Sequence, residues 1–309
     1  MSKRQLTLQP CCHTAKRRRP PPSQLQQQLR QHVYLVVDDW ESGYSVRKID
    51  IDAMYSDAGA DLDDDDEAEP LPDPPVVRFY GRHCRLSHFG AYGTSILAIL
   101  GPSDATRPIP IFDTKTLGVK LCSLPDGSSP KPLFASVGGE HYLMLGSSVY
   151  VLDALPPRRT EQGKQCSWTK SHKLAPFMSV GLCRHNGGVG YVCSCEVPPM
   201  ADYTSMSTMP AWKLGDQLFN ADERHLGATL LYLGGISDYC LIESRLHKDQ
   251  EPFGPCDGPR RRVLHFTKFS LKYDKNGELR TTRRTARSYQ MTEGHELNEI
   301  FFTPVAFWM

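Results

Sequence analysis

No stretch of the 309-residue chain approaches the roughly 20 consecutive apolar residues that cross a bilayer as a helix. The N-terminus opens on charge and glutamine instead of an apolar signal core, so a soluble, intracellular protein is expected. Uninterrupted helical stretches are scarce as well. The chain carries 24 Gly and 24 Pro, more punctuation than a helical bundle tolerates, and only Trp212 to Glu223 leaves room for a helix. Paired Cys-x-x-Cys spacing is missing among the 10 cysteines, whose irregular placement reads as reduced, partly buried thiols and not as a disulfide framework.

Catalytic signatures are also missing. There is no Gly-x-Ser-x-Gly nucleophile elbow, so hydrolase chemistry has no anchor. Gly187-Gly188-Val189-Gly190 lacks the Lys-Ser/Thr that completes a phosphate-cradling loop. The expectation is a non-catalytic protein without cofactor or metal.

A formal net charge of +1 hides a strong asymmetry. Residues 1–31 hold no acidic side chain, are glutamine-rich and cannot bury a core, which predicts a disordered tail. Within it, Lys16, Arg17, Arg18 and Arg19 form a run dense enough for nuclear import or a nucleic-acid patch; a solvated tail and an organellar transit peptide are the alternatives. Residues 57–75 are the opposite, with Asp61, Asp63 to Asp66, Glu67, Glu69 and Asp73 among prolines, and predict a self-repelling loop inserted between strands. Their spacing lacks the central Gly and terminal Glu of an EF-hand.

What is present in abundance is short apolar runs rich in β-branched and aromatic residues, bounded by Gly and Pro. Examples are Val33 to Val37, Tyr44 to Ile51, Ile109 to Asp113, Tyr142 to Leu145, Tyr239 to Glu243 and Val263 to Tyr273. Many short strands at close spacing imply an all-β sandwich, barrel or propeller.

An internal repeat selects among these. Gly138-Gly139 precedes Tyr142, Gly187-Gly188 precedes Tyr191, and Gly234-Gly235 precedes Tyr239; degenerate forms occur at Gly90 with Tyr92 and at Gly43 with Tyr44. The five positions begin 47 to 49 residues apart, close to the roughly 50-residue kelch blade of four antiparallel strands. Such glycines would let the chain turn where backbones crowd near a central channel. Residues 32–290 then make a kelch-like β-propeller of five to six blades, with 291–309 as a C-terminal tail. Ring closure predicts Val33 to Val37 beside Val263 to Tyr273, because sealing removes exposed edges.

Tyr34 to Val37 and Tyr44 to Asp50, then Pro210 to Leu214, Arg224 to Leu230, Tyr239 to Glu243 and Phe269 to Leu279, resemble a plant family of unknown function, expanded in grasses. The resemblance covers roughly residues 33–290 and implies a propeller related in style to kelch proteins, with no activity to carry over. Residues 1–31 are too short and polar for an F-box, so a direct ubiquitin-ligase adaptor is not expected.

Remaining candidates are weighed by chemistry. Cys183, His185, Cys193 and Cys195 could ligate zinc, but residues two apart on a strand share a face and pack as small apolar groups more often. Arg260 to Arg262, Lys268, Lys272, Lys275, Arg280, Arg283, Arg284 and Arg287 could bind phosphate or form a solvated outer strand. The expected function is a monomeric protein-interaction scaffold binding protein partners through its blade loops, in the nucleus or cytoplasm. A propeller-borne enzyme or a nucleic-acid-associated protein is the alternative.

Overall fold

The computed structural model describes residues 31–40, 42–52, 68–80, 88–99, 108–122, 133–137, 140–145, 148–153, 167–170, 177–183, 189–197, 212–235, 237–250, 261–292 and 303–309. The run Lys16 to Arg19, the pairs Gly138-Gly139 and Gly187-Gly188, His185 and residues 57–67 lie outside them. Contacts group His32–Met309 as one unit, apart from Met1–Gln31.

All described regular structure is β. Five sheets follow one another along the chain. Sheet I contains β1 (Val33–Trp40), β2 (Gly43–Ile49) and β4 (Val77–Tyr80), with β20 (Val305–Trp308) beside β1. Sheet II is β5 (His88–Tyr92), β6 (Ser95–Ile99), β7 (Ile109–Asp113) and β8 (Gly118–Cys122). Sheet III is β9 (Leu133–Val137), β10 (Glu140–Leu145), β11 (Ser148–Asp153) and β12 (Ser167–Lys170). Sheet IV is β13 (Phe177–Leu182), β14 (Tyr191–Val197) and β15 (Lys213–Gln217). Sheet V is β16 (His225–Gly234), β17 (Asp238–Leu246), β18 (Arg261–Tyr273) and β19 (Leu279–Thr292), edged by the parallel two-residue strand β3 (Glu69–Pro70).

Sheets I, II, III and V each have the four antiparallel strands of a propeller blade, and sheet IV has three among the described residues. The arrangement is propeller-like with four such blades, which corrects the expected five to six. Dividing chain length by the repeat period overcounts, because chain goes into the acidic insertion and into β18 and β19, which run 13 and 14 residues. The first strands adjoin one another: β20 lies beside β5 and β16, β5 beside β9, and β13 beside β16.

Packing on both faces explains why the strands read as continuous apolar runs. On β1, Val33, Leu35 and Val37 join Cys240, Ile242, Leu264 and Phe266 of sheet V in one core. Tyr34 and Val36, pointing the other way, join Ile96, Ala98 and Phe112 of sheet II in a second. A strand between two neighbours has no solvent face, so polar alternation disappears.

Three expectations are corrected. Val33–Val37 pairs with Val305–Trp308 and not with Val263–Tyr273, so the ring closes through the segment expected as a tail. The helix expected over Trp212 to Glu223 is instead β15 and the turn after it, since Lys213 to Gln217 pair with β14. The acidic insertion docks at its C-terminal end: Glu69 and Pro70 pair with Tyr289 and Gln290, and Arg47 Nη1 donates to Asp73 Oδ1 at 3.0 Å.

Candidate functional site

The described repeat residues fall on or beside the first hairpin of their sheets. Gly43 opens β2, Tyr142 lies on β10, Tyr191 opens β14, Gly234 ends β16, and Tyr239 lies on β17. One position slips: Gly90 and Tyr92 sit on β5, before their hairpin instead of after it. The tyrosines share no common site. Tyr44 is buried between sheets I and II against Phe89, with ring centroids 5.2 Å apart, whereas Tyr239 packs against Tyr232 and Phe269 on the side of sheet V that faces sheet IV. At the β16–β17 hairpin Gly234 answers to φ and not to crowding. Gly234 and Gly235 have φ of +87° and +65°, yet a Cβ on Gly234 would meet nothing within 4 Å.

The seam between sheets I and V contains a narrow cleft. Arg262 Nη2 donates to Asp38 Oδ1 at 2.6 Å, and the Arg262 side chain is only 3% exposed. Ser244 of β17 is buried beside them. The cavity of about 20 Å³ is the size of a single water and too small for a metabolite. This pair therefore acts as a clasp between the closing sheet and its neighbour, and breaking such a pair from one side leaves an uncompensated buried charge.

A second polar cluster escaped the sequence reading. Glu243, buried on β17, has His225 Nδ1 at 3.0 Å from its Oε1, and the His225 ring stacks on Phe219 at 4.7 Å. Arg245 reaches both Glu243 and Asp222. The only available signal was the alternation Leu241, Glu243, Arg245, which places both charged groups on the face that sheet IV covers.

The thiols are packing groups. Cys193 and Cys195 are buried on β14, and Cys193 Sγ donates to Gly181 O at 3.4 Å. Burial, followed by the neighbouring Cys183 and Cys195, pushes the Cys193 thiol up, and burial pushes Cys240 up to about 12. Among the described residues no group of His, Cys, Asp and Glu is arranged to hold a metal ion.

Part of the basic C-terminal stretch is neutralised by acids distant in the chain. Lys268 pairs with Asp52 at 2.7 Å, Arg261 with Asp249 at 3.4 Å, and Arg287 with Glu69 at 2.5 Å. Arg280 Nη1 lies 2.9 Å from Asp216 Oδ1. Lys272 remains exposed at the end of β18.

Asp216 joins sheets IV and V, accepting from Thr281 N–H at 2.7 Å and Thr281 Oγ1 at 3.1 Å as well as from Arg280. Burial alone would raise its carboxyl, but the Thr281 backbone bond and then the Arg280 and Thr281 side chains outweigh that and hold it below the ordinary carboxylate value. A depressed folded value means that this contribution is present above the ordinary value of about 4 and is lost as pH falls through the folded one. Asp216→Ala is expected to destabilise the protein by about 2 kcal/mol at pH 7. Urea unfolding should show the gap from wild type narrowing as the pH approaches 3; a gap independent of pH would mean that the carboxylate charge is not what joins the sheets.

Along the same seam lies an exposed aromatic surface. Tyr232 and Tyr273 are both about half exposed, whereas the equally exposed Trp212 and Leu214 alternate with Lys213 and fall on the opposite face of sheet IV. Tyr273 is nonetheless held in place, its hydroxyl 3.0 Å from Ser194 Oγ and its ring under Lys213 Nζ at 5.5 Å. Burial, then the nearby Tyr232 and Tyr273 phenols, push the Tyr239 phenol up, which ties the three tyrosines into one neighbourhood. Rigid aromatic side chains on a fixed sheet can bury large area against a partner at small entropic cost.

No curated protein matches the chain. The sequence model of the family described as Protein of unknown function (DUF1668) matches residues 30–178 and 175–289, nearly all of the propeller-like unit, and the chain belongs to that family.

Proposed function

We propose that this protein is a non-catalytic interaction scaffold with blades of the kelch type, binding a partner protein at the meeting of sheets IV and V. The observation that carries this reading is the Tyr232 and Tyr273 surface, exposed and yet anchored at Tyr273 through Ser194 and Lys213. Its resemblance to plant propellers of kelch style is consistent with a binding role. Nucleic-acid association draws less support, because four of the cations that would meet phosphate, Lys268, Arg261, Arg280 and Arg287, are engaged by Asp52, Asp249, Asp216 and Glu69. The run Lys16 to Arg19 directs the scaffold to the nucleus.

One tagged, bulky fusion tests both parts. Affinity purification should recover partners that Tyr232→Ala with Tyr273→Ala depletes by about tenfold; an unchanged set of partners refutes this surface. Microscopy of the same fusion should show nuclear signal that moves to the cytoplasm when Lys16 to Arg19 are replaced by alanine. Cytoplasmic signal with the run intact refutes the nuclear assignment.

A further inference from the structure

From the outer edge of sheet II we infer a strand-pairing site for an extended segment of a partner protein in which apolar residues alternate with Asp or Glu. The edge strand is β8, and among the described residues its only strand partner is β7. Outer strands of the sheets are more exposed than inner ones, but β8 is unusual in what it exposes: Val119 is 56% and Leu121 67% accessible. These two residues are two apart and share a face, so they form the apolar row that a docked strand would cover. An edge of this kind is ordinarily guarded by charge or a covering segment.

Two observations identify the occupant. Lys115 and Lys120 are exposed, and neither takes part in an ion pair among the described residues, in contrast to the paired cations of β18 and β19. The molecule also contains one example of the same recognition. The outer edge of sheet V takes β3 as an added strand, with Glu69 bound by Arg287 at 2.5 Å. A basic blade edge receiving an acidic, extended segment is thus already part of this fold, and β8 presents that edge with no strand on it among the described residues. A second copy fits worse, because antiparallel pairing of β8 with itself brings Lys120 of each copy close to its counterpart, and like charges across strands repel.

This inference deepens the scaffold reading and rests on it. The test uses the full chain and two fluorescein-labelled heptapeptides, one alternating Val with Glu and the other Val with Lys, titrated by anisotropy. The acidic peptide should bind saturably and at least about tenfold tighter than the basic one. Lys120→Glu should invert that preference, and Val119→Asn with Leu121→Asn should weaken acidic-peptide binding by about tenfold while the melting temperature stays at the wild-type value. A benzophenone in the peptide should crosslink to residues 117–122. Tyr273→Ala should leave peptide binding unchanged, so that failure here and failure of the aromatic surface are separable. Equal binding of both peptides, binding indifferent to Lys120→Glu, or a dimer that the Val119 and Leu121 substitutions dissolve would each overturn the inference.

Discussion

Gly190→Ala is expected to destabilise the protein by about 3 kcal/mol or more, whereas Gly234→Ala costs only about 1 kcal/mol. Both glycines have left-handed φ, +88° and +87°. Their surroundings differ. A Cβ on Gly190 would sit 2.1 Å from the carbonyl oxygen of Phe219, and that stretch is pinned because Leu218 N–H donates to Gly190 O at 2.7 Å. Leu218 is itself buried in the core between sheets IV and V. Relief would therefore require moving backbone that a hydrogen bond and a core side chain both hold. At Gly234 the added methyl meets open space and only the φ strain remains. Urea denaturation of the two variants decides the matter; equal losses would mean that the close approach at Phe219 does not constrain the fold.

Truncation after Phe302 should produce the other large effect. It removes β20, the strand that lies beside β1 and adjoins both β5 and β16. Its residues serve two cores: Ala306 and Trp308 pack with Val33 and Leu35, while Val305, Phe307 and Met309 pack with Tyr34 and Val36. At about 1.5 to 3 kcal/mol for each large apolar side chain buried, the loss is on the order of 5 kcal/mol, comparable with the whole stability of many domains. The truncated chain should also expose the backbone of β1 as a free edge and aggregate. Differential scanning calorimetry and light scattering should show a strongly lowered transition with self-association; a wild-type transition would show that β20 does not close the ring.

Much of the architecture was legible in the sequence because burial on both faces leaves a local mark. Val33 to Val37 and Ile96 to Ile99 are apolar over several consecutive residues, and each lies within a strand. Of the glycines in the repeat of 47 to 49 residues, Gly234 and Gly235 have positive φ at a first hairpin, whereas Gly90 lies on a strand without it. Edge strands left no such mark. Lys213 to Gln217 and Glu69 to Pro70 are polar and partly exposed, held by pairing with Tyr191, Cys193 and Ser194 in one case and with Tyr289 and Gln290 in the other. The candidate sites were harder still. Tyr273 was seen as one aromatic of a basic strand, but nothing local set Ser194 Oγ against the Tyr273 hydroxyl or Lys213 over its ring.

By itself, the sequence determined that the chain is all-β, built from short strands in repeating units, with a basic N-terminal segment and an acidic insertion. Those properties follow from local composition and apolar patterning. Only the tertiary structure decided the number of four-stranded blades, the closure of the ring by Val305 to Trp308, and the partners of the charged residues. Arg262 lies 224 positions from Asp38, and Arg287 lies 218 from Glu69. Whether a cluster of cations is a phosphate surface or a set of clasps depends on which acids arrive beside it, and that is settled by how the sheets pack, not by any neighbourhood along the chain.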